Sequence, residues 1–146
     1  MNTTIIQISP IILPLASARE ANAAAVAKAE ELGTPFTVTV VDGAGLLVEA
    51  TRMDGAAIAS IDTSLAKART SAFFGAPTAD LAGAARTDGP LATIETAATS
   101  ALAFVGGAVP ITDADGVVIG AIGAGGGTPD QDHAVALAAL AALAAS

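Results

Sequence analysis

The chain has no cysteine, tryptophan or tyrosine, and its 146 residues include four phenylalanines, one histidine and six lysines and arginines. Each shortage removes a class of function. Without cysteine there is no disulfide, thiolate nucleophile, iron–sulfur cluster or cysteine-type zinc site, and the composition suits a reducing cytoplasm, the expected compartment. Six cations against 14 acidic residues leave a formal charge of −8, which repels a phosphate backbone. With so few aromatic rings for base stacking, no nucleic acid is expected as a partner. A single histidine cannot build a zinc site, and no G-x-S-x-G elbow is present to draw it into a Ser-His-Asp triad. Mean hydropathy is +0.65, but much of it comes from alanine, and glycine and proline interrupt the uncharged stretches, so no membrane partner is expected. Residues 2–18 carry no charge, yet they lack a basic start and are broken by Pro10 and Pro14, so a secretory signal is not expected.

What is present fits one domain over residues 1–146, long enough to bury a core unaided. Thr3 to Ile8 reads as a strand, and Pro14 opens a helix to Leu32, stopped by Gly33 and Pro35, with Leu15, Ala18, Ala25, Ala29 and Leu32 as its inner stripe. Phe36–Val41 and Leu46–Met53 read as a hairpin around an Asp-Gly-Ala-Gly turn. Ile58 to Phe74 reads as a second helix, with Ile58, Ile61, Leu65, Ala68 and Ala72 at buried-stripe spacing and Gly75 and Pro77 as its stop. Residues 78–103 read as a lid or plain connection, Thr78 capping a short helical turn. A second hairpin, Val109–Thr112 and Val117–Ala124, turns on Asp113-Ala114-Asp115-Gly116. The last helix opens on a Thr128-x-x-Gln131 capping box with Pro129 at its first position. These elements predict an α+β fold, an antiparallel sheet of about five strands with helices packed on it.

Several ordered motifs in this chain recur in a known family. They are Val40-Val41-Asp42-Gly43-Ala44-Gly45, Arg52-Met53-Asp54-Gly55-Ala56, Lys67-Ala68-Arg69-Thr70-Ser71-Ala72, Gly106-Gly107-Ala108-Val109-Pro110-Ile111, the stretch Asp115–Gly123, and Gln131-Asp132 at the last helix. From about Leu15 onward the chain resembles the GlcG/HbpS family, small haem-binding-type domains also found attached to corrinoid adenosyltransferases. The resemblance implies the profilin-like form of the α+β sheet. It bears less on activity, because members have been linked to haem binding, haem breakdown and small-molecule conversion, so function is argued from the site.

Half of the positive charge, Arg52, Lys67 and Arg69, lies within eighteen residues and is suited to hold an anion. Asp42 and Asp54 are candidates beside them and read equally well as turn caps. Lys67, among Ser60, Ser64, Ser71 and Phe74, is a candidate acid, base or nucleophile; the plainer alternative is a salt bridge to Asp42, Asp54 or Asp62. Gly125, Gly126 and Gly127 lead into a helix N-terminus that suits a ligand carboxylate, or form a structural turn with Asp130 and Asp132 opposing an anion. Phe36, Phe73, Phe74 and Phe104 are candidate pocket walls or ordinary core. For haem iron, His133 is the one strong axial candidate and Met53 a weak second, although a structural, exposed His133 is the commoner outcome.

The sequence therefore reads as a small acidic homo-oligomeric domain that binds haem or another carboxylate-bearing small molecule in a pocket edged by Arg52, Asp54 and Lys67, with Arg52 and Lys67 converging on one carboxylate. One alternative is a cofactorless lyase or isomerase acting on a small aromatic or carbonyl acid, in which Arg52 orients the substrate and Lys67, Asp54 or His133 moves a proton. Another is an accessory subunit whose last helix binds a partner. That helix is almost wholly apolar from Ala134 to Ala145 and needs cover on more than one face. Light scattering on the purified protein is expected to give an oligomer mass; a monomer mass at micromolar concentration would contradict the reading.

Overall fold

A computed structural model describes residues 13–144. The elements run α1 (Leu15–Leu32), β1 (Thr37–Asp42), β2 (Leu47–Arg52), α2 (Ser60–Phe74), α3 (Thr78–Leu81), a 3-10 turn at Ile94–Ala97, β3 (Ala108–Thr112), β4 (Val118–Gly125) and α4 (Pro129–Ala144). The strands form a 4-stranded antiparallel sheet in the order β2-β1-β4-β3. The α+β class holds, with four strands among the described residues where about five were expected; the strand expected at Thr3–Ile8 lies outside them. No described helix is long and apolar enough to cross a membrane.

The two hairpins use the same chemistry. Asp42 Oδ1 accepts the Ala44 and Leu46 N–H groups at 2.9 and 3.0 Å, and Asp113 Oδ1 accepts those of Asp115 and Val117, both at 2.9 Å. Each aspartate closes its own turn, a local bond that needs no tertiary support. At α4 the capping box forms as expected, with Thr128 N–H on Gln131 Oε1 at 3.0 Å and Gln131 N–H on Thr128 Oγ1 at 3.2 Å. Thr78 does not cap α3. Its Oγ1 instead accepts the Ala108 N–H at 3.0 Å, tying α3 to the start of β3.

The sheet separates two unlike layers. On one face Val38, Val40, Val109, Ile111 and Ile122 meet the alanines of α1 and α4. On the other lies α2, whose inner face is only partly the expected stripe: Ala68 and Ala72 are buried, but Ile58 precedes the helix and is 84% exposed, Ile61 is 41% exposed, and Ser60, Ser64 and Ser71 are buried. The sheet explains the difference. Beneath α2 it presents Thr37 and Thr39, whose hydroxyls bond Ser60 and Ser64 at 2.8 Å each. It also presents Gly123 and Gly125, where the backbone of α2 comes so close that a Cβ at Gly123 would collide with the Ser64 carbonyl. Small hydroxyl side chains fit that gap and isoleucines do not. On α4, Leu137 remains 45% exposed.

This close approach predicts that Gly123→Ala destabilises the fold by about 1–3 kcal/mol in urea unfolding, through overpacking. Gly83→Ala, at a position with open space and no special φ, should stay within about 0.5 kcal/mol of wild type. Equal midpoints for the two variants would contradict the account.

Candidate functional site

Antiparallel pairing sets Thr37, Arg52 and Gly125 side by side at one end of the sheet, next to the start of α4. There the structure gathers Phe36, Arg52, Asp54, Gly125, Gly126, Gly127 and His133, together with the head of the Lys67 side chain. It leaves the other candidates elsewhere. Asp42 belongs to the turn at the opposite end, where its carboxylate is spent on backbone N–H groups. Phe74 and Phe104 pack edge-on, ring centroids 5.4 Å apart, by the C-terminal part of α2, and Phe73 covers the Gly45 turn.

Lys67 is the centre of this end of the molecule. Its Nζ donates to Asp132 Oδ2 at 2.6 Å and to the Ala124 carbonyl at 3.3 Å, and the two side chains are 6% and 4% exposed. The expected salt-bridge partners Asp42, Asp54 and Asp62 are thus replaced by Asp132, which the α4 first turn brings to the end of β4. Asp132 Oδ1 accepts the Gly127 N–H at 2.9 Å. Burial pushes the Asp132 carboxyl above the usual carboxylate range, against the Lys67 hydrogen bond, the Gly127 N–H and the Lys67 charge, which all favour the ionised form. Gly107, at φ 140°, closes the site: a Cβ there would lie 2.8 Å from Lys67 Nζ and 2.9 Å from Asp132 Cβ. Sequence reasoning weighed Asp132 as a competitor for an anion and held it and Gly107 as parts of family motifs, without pairing Asp132 with Lys67. The usable signal was that both residues lie in motifs of the resemblance, Gly106–Ile111 and Gln131-Asp132.

The pair changes what the neighbouring candidates can do. The helix N-terminus suited to a ligand carboxylate already holds the chain's own, on Gly127, and the Thr128 N–H is taken by Gln131. Gly125 lets α2 approach, and Gly126, at φ 131°, lies over Pro35 and Phe36. Phe36 is fully buried in the core. Arg52 ends edge strand β2, exposed, and its guanidinium has no partner among the described residues; the same holds for the Asp54 carboxylate. Strands β1 and β4 separate Arg52 from the Lys67 head, and the two cations share no partner.

For haem iron the donor set is narrow. Met53 Sδ already accepts the Phe36 N–H at 3.4 Å and packs against the core. His133 is half-buried, and its Nδ1 is a buried atom with no partner among the described residues. Nε2 of the same ring is neither buried nor hydrogen-bonded among the described residues, which fits the demand of an axial ligand, so His133 is the residue that suits the group. No described group of three or more His, Cys, Asp or Glu side chains could hold a bare metal ion.

Comparison with known proteins places the chain. Over its whole length it is similar to ORFY of Klebsiella pneumoniae (29% identity, TM-score 0.88, covering 100% of this chain and 99% of that one). It is also similar to the protein in the PduOC–haem complex (28% identity, TM-score 0.83, covering 90% and 94%). The corrinoid adenosyltransferase PduO of Salmonella typhimurium is 28% identical over 135 residues, 92% of this chain, which spans 40% of that enzyme's length. The model of the family described as haem degrading protein HbpS-like matches residues 13–141. The chain belongs to the HbpS-like family.

Proposed function

We propose that the protein binds haem, or a closely similar carboxylate-bearing tetrapyrrole, at the end of the sheet where β4 meets α4, and that it does so as a homo-oligomer. What carries the reading is the likeness, over 90% of the chain, to a protein solved in complex with haem. Within this chain it is supported by His133, whose Nε2 is neither buried nor hydrogen-bonded among the described residues and would hold the iron. Arg52 would pair with a propionate, because its guanidinium is free and its planar fork matches a carboxylate. Lys67 is not needed for that role, since its charge is already met by Asp132. Bound haem would bring a redox-active iron, and the chain's part is to hold it and shape its surroundings. The exposed Leu137 and Leu15 support self-association, because each would leave water in a contact between chains.

A second reading, proton transfer on a small carbonyl acid, is favoured by one observation, the buried Lys67–Asp132 pair. In that reading Lys67 and Asp132 move the proton, and the exposed Asp54 has no part. Colour separates the two: a purified protein with a Soret band supports haem, and a colourless protein that converts a carbonyl acid supports the enzyme.

Titration of ferric haem into wild type is expected to saturate and shift the Soret band. His133→Ala should lose the spectrum of nitrogen-ligated iron. Arg52→Ala should weaken binding by about ten- to hundredfold, the effect of losing a charge-assisted hydrogen bond of roughly 1.5–3 kcal/mol. Identical spectra and affinities for wild type and His133→Ala would remove His133 from the site.

A further inference from the structure

A ligating histidine is normally aimed by a hydrogen bond from its second ring nitrogen to a carboxylate, carbonyl or water. His133 has no such partner for Nδ1 among the described residues. The core contacts of α4 come from Val135, Ala136 and Ala139, with Leu140 and Leu143 packed against the same cluster, all of them after His133 in the helix. Ahead of His133 the helix has a different anchor.

The preceding residue is fixed very firmly. Asp132 is held through Oδ2 by Lys67 at 2.6 Å, through Oδ1 by the Gly127 N–H at 2.9 Å, and through its own N–H by the Thr128 carbonyl at 2.8 Å. Lys67 is itself anchored on α2 and on the Ala124 carbonyl, across the end of the sheet. Gly107 stands against both side chains, leaving no room for a side chain of its own beside them. Consecutive helical residues differ by a set rotation, so whatever fixes Asp132 fixes the azimuth of His133.

We propose that Lys67 and Asp132 are positioning residues for His133: the buried pair pins the first turn of α4 to α2 and so sets where the imidazole points. The proposal rests on the haem reading for its purpose, but its geometry exists without the ligand. A buried ion pair that fixes one arrangement of two elements is an attested use of such pairs, whose net contribution to stability is small.

The chain's single histidine makes the test direct, because its imidazole gives one set of signals in a carbon–proton correlation spectrum of the apo protein. Lys67→Met and Asp132→Asn are expected to move and broaden those signals. Val41→Ala, a core deletion on the α2 face of the sheet, should leave them in place. With ferric haem, Lys67→Met should bind about ten- to hundredfold more weakly than wild type, as when a supporting group behind a metal ligand is lost, and Val41→Ala should bind normally. If Lys67→Met does not fold, Asp132→Asn decides, since it removes the charge while keeping an oxygen for Gly127. Imidazole signals that overlay wild type in the folded pair variants, or that move as far in Val41→Ala, would overturn the proposal. Wild type that takes up no haem would instead sink the haem reading, with the imidazole measurement still deciding the positioning role.

Discussion

Two opposite charges lie within 2.6 Å of each other at the end of β4, both withdrawn from water, and the arrangement around them follows from that withdrawal. Taking a lysine and a carboxylate out of solvent costs several kcal/mol per ion, and their attraction offsets this only when geometry is good and the remaining hydrogen-bonding positions are filled. The chain fills them with the Ala124 carbonyl and the Gly127 N–H. Glycine is then required at residue 107, where any side chain would strike Lys67 Nζ and Asp132. The pair joins the α2 layer to the α1–α4 layer around the end of the sheet, a link that neither apolar cluster supplies. It also uses one of six cations in a chain of net charge −8, leaving Arg52 as a free guanidinium near the same end.

Local chemistry was legible in the sequence where it depends on near neighbours. The Asp-initiated turns, the Thr128–Gln131 box and the left-handed glycines after α1 and α2 all form within a few residues, and each was found. Ala68 and Ala72 are buried as the periodicity of α2 predicts, but it misled on the first half of that helix, because counting apolar residues assumes that the buried face is apolar. In that half the buried face is Ser60 and Ser64, matched to threonines and glycines on strands that come before and long after it. The Lys67–Asp132 contact was illegible for a related reason. The partners are 65 positions apart, and nothing local in either segment selects the other from among 14 acidic residues.

Family membership settles the fold more firmly than the chemistry. The motifs that carried the resemblance divide in the structure into two kinds. The Val40–Gly45 motif is turn chemistry, and the Asp115–Gly123 motif ends on the glycine that gives room to α2. Asp132, held by Lys67, directly precedes the one histidine of the chain, and Arg52 lies unpaired among the described residues on edge strand β2. The haem reading joins this second group into one site, with His133 toward the iron and Arg52 toward a propionate.

The central claim, that Lys67 and Asp132 act as one unit on which this end of the molecule depends, is tested most directly by a double-mutant cycle in chemical denaturation with Lys67→Met and Asp132→Leu. Each single change should destabilise by about 3–5 kcal/mol, because it strands the other charge in the interior, and the double variant should recover most of that loss. Single effects that simply add, with no coupling beyond about 0.5 kcal/mol, would show two independent side chains and contradict the account.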